Sequence, residues 1–401
     1  MPLPAKSSRL TNLWEIFLTF LQLGMTSFGG PVAHLGYFRQ EFVVKRQWLD
    51  EPAYADVVAL CQFLPGPASS QVGAALGFKR GGFFGACLAW LGFTLPSAVL
   101  LVLFALELNE LNSLLGTAWI HGLKLVAVAV IAQALWGMGK SLAPDKERAS
   151  IVVLATISVS LFPTPLGQIG TLVAAAIIGL IGLRDSTVQT SELAQSGGQK
   201  ITGVICLAVF LLILTGLPVL AQVTDSYPVR LVDSFFRAGA LVFGGGHVVL
   251  PVLQAEVVPV GWVSASNFMA GYGAAQAVPG PLFTFAAFLG AISDQAPAGW
   301  LGGLLALVAI FLPGFLLVLG CLPFWDHLRK FQSMQCAMRG VNAAVVGLLL
   351  AAFFNPVWTS AISSSRDFCF VLVAYVLLVF WKLPPWLVVI LGALGASAGL
   401  A

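Results

Sequence analysis

Apolar residues run along the chain in blocks that are interrupted by glycine and proline more often than by charge. The blocks fall at roughly 11–28, 31–43, 52–64, 67–78, 82–106, 114–139, 150–162 and 166–183. They resume at roughly 201–223, 230–243, 247–258, 263–278, 281–292, 298–322, 333–354, 368–381 and 385–400. None has the alternating ten-residue pattern of a membrane barrel, so all predict helix. The runs 82–106 and 201–223 are long enough to cross a hydrocarbon core of ~30 Å as simple spans. Several others fall far short of ~18 residues. Irregular backbone cannot face lipid, so these short segments are expected to be buried in protein or to line a cavity. The fold class expected is all-α, a polytopic membrane protein with Gly/Pro-broken helices or re-entrant hairpins.

The chain repeats itself. Phe28-Gly29-Gly30-Pro31-Val32 matches Phe243-Gly244-Gly245-Gly246-His247, and Trp48 matches Trp262. Gln62-Phe63-Leu64-Pro65-Gly66-Pro67 matches Gln276-Ala277-Val278-Pro279-Gly280-Pro281. Gly85, Pro96 and Gly122 recur as Gly302, Pro313 and Gly340, and Pro163 and Pro165 sit where Pro384 and Pro385 recur. The spacing holds between about 214 and 220 residues, so a unit of roughly 175 residues is duplicated. The organisation expected is a first repeat at 1–184, a polar linker plus an unpaired connecting helix at 185–228, and a second repeat at 229–401. One extra span between two even-numbered units turns the second unit over, giving inverted topology.

Composition sharpens this picture. Of 401 residues, 58% are hydrophobic and 9% charged, with a mean hydropathy of +0.93. Soluble domains carry about 25% charge, so most of this chain faces lipid, with room for about ten membrane segments. Soluble enzymes, secreted modules and nucleic-acid binders are excluded. A net charge of +3 is too small to argue for polyanion partners. The six cysteines stand singly in apolar runs, without metal-ligand spacing, and read as small buried hydrophobes. Lys6 and Arg9 precede a first apolar run that no cleavage site follows, so it reads as a retained helix.

The placement of charge tests the inversion. With a cytoplasmic N-terminus, and with 11–43 and 52–78 as hairpins, Arg39, Lys45, Arg46, Lys79, Arg80, Lys140, Lys146 and Arg148 all fall on the cytoplasmic side. A turn expected at Glu107–Asn112 is outside and carries acids only. In the second copy the signs reverse: 254–262 and 293–299 carry Glu256 and Asp294, and the counterpart of 107–112 carries Arg329 and Lys330. Positive-inside bias is thus met by an inverted repeat, with Arg366 dissenting. A multi-pass membrane protein with a cytoplasmic N-terminus is expected.

Paired, Gly/Pro-broken segments in inverted repeats are the signature of secondary transporters, whose substrate sits near the midplane where broken helices meet. A helix begun after such a break presents free N–H groups and a positive dipole end, which suits an anion. Pro31, Pro67 and Pro281 stand where a missing N–H costs nothing. The Phe-Gly-Gly-Pro stretch at 28–31, the Gln-x-x-Pro-Gly-Pro stretch at 62–67, and their second copies at 243–246 and 276–281 resemble the chromate ion transporter family, whose long-chain members have two homologous halves. The likeness covers nearly the whole chain. It implies export of chromate from the cytoplasm, with sulfate as a look-alike dianion. Carried over by position, Phe28, Gly29, Gly30, Pro31, Gln62, Pro65, Gly66 and Pro67 form the first motif set. Phe243, Gly244, Gly245, Gln276, Pro279, Gly280 and Pro281 form the second, where Gly246 replaces the motif proline.

Cations inside membrane segments are expensive and usually functional. Arg237 and Lys124 are expected to offset the anion's charge. A snorkelling Lys124 and an interfacial Arg339, whose repeat counterpart is His121, remain open readings. His34 and His247 each follow a glycine break and could bond an oxyanion or titrate, and Ser69 could donate its hydroxyl. No metal, cofactor or catalytic residue is expected. The segment Ala134–Ser141 approaches a P-loop but lacks its first glycine, and no HExxH or acid-rich motif is present. Expected partners are chromate or a related oxyanion, membrane lipid, and a proton or counter-anion as coupling ion; a homodimer is compatible with the sequence. A channel or a transporter of another small anion stays open as the alternative, and an intramembrane enzyme is the more distant one.

Overall fold

The computed structural model describes residues 9–183, 198–243, 246–325 and 331–399. Every regular element in them is helical. In the first half these are α1 (Arg9–Thr26), α2 (Gly30–Phe38, continued as a π-helical segment over Arg39–Lys45), α3 (Glu51–Phe63), α4 (Ala68–Leu115), α5 (Ala118–Leu142), α6 (Lys146–Leu161) and α7 (Pro165–Gly182). Local chemistry sets their starts. The Asp50 carboxylate accepts the Ala53 N–H at 2.9 Å ahead of α3, with Pro52 in its first turn. Asp145 caps α6 through the Arg148 N–H at 2.8 Å, and hydrogen bonds from Arg148 hold this carboxyl below its ordinary range. Thr164 caps α7. Helix α4 breaks at Gly81-Gly82, where Gly82 takes φ +64°. The turn expected at 107–112 is helical instead: nothing there breaks a helix, and α4 runs on to Leu115 before turning at Gly116, φ +72°.

Helix α8 (Gly198–Thr224) packs one side on α13 and α9 and leaves most of its side chains exposed. The second half then repeats the first in order: α9 (Tyr227–Leu241), a 3-10 turn Gly246–Val248, α10 (Val249–Val257), α11 (Ala265–Ala277), a turn Leu282–Thr284, α12 (Phe285–Ala291), α13 (Gly299–Cys321), α14 (Gln332–Ala352), α15 (Ser365–Val379) and α16 (Pro385–Ser397). The two parts of α4 correspond to α12 and α13, and Gly82 to Gly299, which takes φ +60°. Among the described residues, five stretches are long and apolar enough to cross a membrane: Ala68–Leu108, Ala118–Leu142, Lys200–Thr224, Gly299–Phe324 and Gln332–Ala361. The chain is a multi-pass, all-α membrane protein. Helices such as α3 and α11, at 13 residues each, reach only about 20 Å and cannot cross.

The halves interlock. Helix α1 packs on α4 and α9 on α13, but the terminal pair of each half packs on the other half: α6 and α7 on α14, α15 and α16 on α5. Small residues permit these crossings. A Cβ on Gly122 would collide with the Gly392 carbonyl, and one on its repeat counterpart Gly340 with the Ala175 carbonyl. Gly77 with Gly85, and Gly290 with Gly302, make the same contact within each half.

At one end of the first half, Arg46 bonds Glu41 at 2.7 Å and Glu15 at 2.8 Å, and Arg80 reaches Glu15 at 3.5 Å while lying over Trp48. The hairpin α1–α2 therefore returns to the level from which it started. In the second half the Tyr227 hydroxyl bonds the Ser293 hydroxyl, and Tyr227 packs edge-on to Trp262. Gly340→Ala should destabilise the protein by about 1–3 kcal/mol through overpacking. Gly170→Ala, on open helix surface, should leave it unchanged or slightly firmer. Thermal unfolding in detergent compares the two directly.

Candidate anion site

The four glycine/proline breaks meet at one place. The Gly66 N–H, in the turn between α3 and α4, donates to the Val242 carbonyl just before Phe243 at 2.7 Å. The Gly280 N–H, in the matching turn of the second half, donates to the Ser27 carbonyl just before Phe28 at 2.9 Å. Each Pro-Gly-Pro turn thus serves the open helix end of the other half. Both glycines need their positive φ, +119° and +97°, to aim the N–H that way. Each turn also sits on the long helix of the other half: Gly66 against Gly314, Gly280 against Ser97, the residues that follow Pro313 and Pro96. The first half adds polar braces. The Gln71 amide donates to the Pro65 carbonyl at 2.8 Å and the Gly314 carbonyl at 3.2 Å. At the corresponding positions the second half has buried Phe283 and Phe285.

A cavity of about 630 Å³ opens on this junction. Phe28, Gly29, Gly30, His247, Gln276 and Gly280 lie in its wall, with Val130, Gln133, Ala134 and Gly137 of α5 and the α15–α16 tip around Lys382 and Pro384. Gly29 takes φ +99° as N-cap of α2, so that helix begins at the wall with its free N–H groups. The Gln276 amide nitrogen is buried without a hydrogen-bond partner among the described residues. His247 Nδ1 lies 2.7 Å from the Tyr272 hydroxyl, which fixes the ring. The volume holds a tetrahedral oxyanion with several waters, each needing about 30 Å³. A second cavity of about 510 Å³ lies at the repeat-equivalent place, between the C-terminal half of α14, α10 and the α6–α7 tip, and among the described residues its lining includes none of the breaks.

The model of the chromate transporter family matches residues 14–183 and 229–397, both halves of the chain. The chain belongs to this family. It is similar to the chromate transport protein of Pseudomonas aeruginosa, with 27% identity over 84% of this chain and 79% of that one. The chromate transport protein of Cupriavidus metallidurans is 24% identical over 85% and 82%. An uncharacterized transporter of Methanocaldococcus jannaschii is 27% identical over 84% and 82%. No solved structure gives a significant match. Membership makes the chain a transporter and not an enzyme, and its resemblance to this family on the paired motifs is borne out.

Within the family motifs the structure separates frame from wall. Phe28, Gly29, Gly30, Gln276 and Gly280 face the cavity; Pro31, Pro65, Gly66, Pro67, Pro279 and Pro281 shape the turns without lining it. Gly246 is buried against Pro31, and Phe243 is packed at the core. Gly244 and Gly245 lie outside the described residues. Gln62, although the motif twin of Gln276, is exposed at the end of α3 and does not reach the cavity.

Four of the residues singled out in the sequence lie outside the cavity wall. Arg237 is not free to meet an anion: its Nε bonds Asp233 at 3.1 Å, and Nη1 and Nη2 grip both oxygens of Glu256 at 3.0 and 3.1 Å. Two carboxylates already neutralise it. Lys124 sits in the second turn of α5 and lines neither cavity. His34 is buried with Nε2 3.2 Å from the Ser27 carbonyl and Nδ1 3.4 Å from Ser69, so both residues brace the junction from behind. Sequence reasoning missed Gln133, a lone amide in an apolar run, and the pair His121–Asp367, 2.7 Å apart, which ties α5 to the start of α15. Arg237→Gln should cost about 3 kcal/mol, because it strands two buried acids, and adding Glu256→Gln should restore part of it. Unfolding midpoints of the single and double variants measure this; lost flux at unchanged stability would return Arg237 to the substrate path.

Proposed function

We propose that the protein is a secondary transporter that exports chromate across the inner membrane, with sulfate competing as a dianion of the same shape. The observation that carries this reading is the reciprocal bonding of Gly66 to Val242 and Gly280 to Ser27, which joins the breaks beside a cavity whose wall includes Gly29, Gly30, Gln133, His247 and Gln276. The anion rests against the start of α2 between Gln276, Gln133 and His247. Those groups are amide, imidazole and backbone donors, the set that grips oxyanion oxygens without a metal. Binding relieves the stranded Gln276 donor, a group whose burial costs about 1–3 kcal/mol while it is unpaired.

Alternating access is the transport mode that the two cavities support. One is lined by break residues; the other, at the repeat-equivalent place, is lined by none among the described residues. In the opposite state the second cavity deepens to the junction while the first closes. The halves are inverted repeats, 1–184 and 229–401, linked by α8, and the N-terminus is cytoplasmic, so the deep cavity faces the cytoplasm. Export of a dianion from a cell that is negative inside is favoured by about 2.3 kcal/mol per charge for each 100 mV, so the membrane potential suffices as driving force.

In proteoliposomes with an imposed potential, chromate flux should saturate and sulfate should compete; flux linear in concentration would favour a channel, and absence of flux would remove chromate as substrate. Gln276→Ala should lower apparent affinity about tenfold, the loss of one hydrogen bond to a charged group. The topology has its own check. Cysteines replacing Lys146 and Arg366, which stand at equivalent starts of α6 and α15, should react with an impermeant reagent from opposite faces, and labelling from one face only would contradict the inversion.

A further inference from the structure

An anion seated in the deep cavity still lacks a counter-charge, since Arg237 is held by Asp233 and Glu256 and Lys124 lies elsewhere. A dianion in a cavity walled largely by carbon needs a cation. Among the described residues that line the deep cavity there is one cationic side chain, Lys382, and no carboxylate. Lys382 stands exposed at the tip between α15 and α16, at the rim of the cavity that leads to Gly29, Gly30 and Gln276.

Its backbone points the same way. Lys382 has φ +55°, a left-handed conformation that glycine or asparagine adopts more readily than lysine. The tip is tied on both sides, by the Trp381 N–H to the Val376 carbonyl at 3.1 Å and the Leu383 N–H to the Leu377 carbonyl at 3.0 Å, and Pro384-Pro385 stiffen the entry into α16. This tied turn fixes the backbone of Lys382 at the rim, so its side chain starts from a set position beside the cavity. The repeat-equivalent tip between α6 and α7, Phe162-Pro163-Thr164, carries no cation. Among the described residues, the polar side chains lining the second cavity are neutral: Ser160, Gln168, Gln254 and Asn355. The two cavities therefore differ in charge although they match in position.

We propose that Lys382 is the anion-capture residue of this transporter: its ammonium draws the oxyanion into the deep cavity and supports it against the start of α2, giving that side of the membrane the higher affinity. The inference rests on the transport reading of the same cavity. A fixed charge on one side does not drive net flux, but it lowers the KM on that side and leaves the other largely as it was. Lysine suits this task as a compact, mobile charge that releases its ion, where arginine would grip with a fork.

The test uses the full chain, with Lys382→Gln and Lys382→Arg compared with wild type. Equilibrium dialysis in detergent measures binding of chromate, sulfate and molybdate, and inside-out and right-side-out vesicles give the KM for chromate from each face. Lys382→Gln is expected to weaken binding of all three anions about tenfold and to raise the KM about tenfold from the deep-cavity side only, with the maximal rate nearly unchanged. Lys382→Arg should stay within about threefold of wild type, because charge is retained. An unchanged KM in an active Lys382→Gln protein overturns the capture role and leaves the transport reading standing. So does an equal rise from both faces, or a Lys382→Arg as impaired as Lys382→Gln, which would make the tip structural. A wild type that neither binds nor moves any of the three anions overturns the transport reading and this assignment together.

Discussion

Backbone polarity inside lipid is the constraint on which the rest of the structure depends. A helix interrupted at the level of the hydrocarbon leaves N–H and C=O groups that water cannot reach, at several kcal/mol each. Here the broken ends of one half are satisfied by the turns of the other, through the bonds Gly66 to Val242 and Gly280 to Ser27. Neither half could keep its breaks alone. The same requirement explains why the turns read Pro-Gly-Pro: the glycine supplies the positive φ that aims its N–H, and the prolines have no donor to leave stranded. It also explains the crossing of α6 and α7 onto α14, and of α15 and α16 onto α5, which keeps the two halves in register. The start of α2 at Gly29 and Gly30, and Gln276, whose amide nitrogen has no partner among the described residues, belong to the cavity wall.

Charge is scarce and mostly committed. Glu41 and its repeat counterpart Glu256 are each held by an arginine that also takes a second acid, Arg46 with Glu15 and Arg237 with Asp233. These clusters fasten α1 to the end of α2 and α9 to α10, the segments that flank the breaks. Their function is positional, and a substrate site built beside them has to draw its cation from elsewhere. A membrane transporter of the chromate transporter family that uses its intramembrane arginine for architecture thereby places the electrostatic burden on a rim residue and on neutral donors.

Much of the fold was legible in the sequence, because glycine and proline at fixed spacing have few other uses in an apolar chain. The breaks at 28–31, 62–67 and 276–281, the α-helical class and the match of Gly122 to Gly340 all follow from that, whereas the expected turn at 107–112 failed because acidic residues alone do not end a helix. Membership of the cavity was not legible. Gln62 and Gln276 occupy the same motif position, yet only one lines the wall, since sequence symmetry says nothing about which cavity is open. Arg237 was misread although Asp233 stands one helical turn before it, a spacing that signals an ion pair; Glu256 lies on another helix and gave no local sign. Lys382 sits between Trp381 and Leu383 at the end of an apolar run, where a lysine looks like an ordinary interfacial anchor.

The central claim is that the anion occupies the cavity where the four breaks interlock. In a protein whose six native cysteines are replaced, Ala134→Cys in that cavity and Ala255→Cys in the second one can be titrated with an impermeant methanethiosulfonate reagent, with and without chromate. Protection of residue 134 at the concentrations that saturate flux, with residue 255 unaffected, is the result expected. A reaction at 134 that chromate does not slow, in a protein that still transports it, would contradict the account.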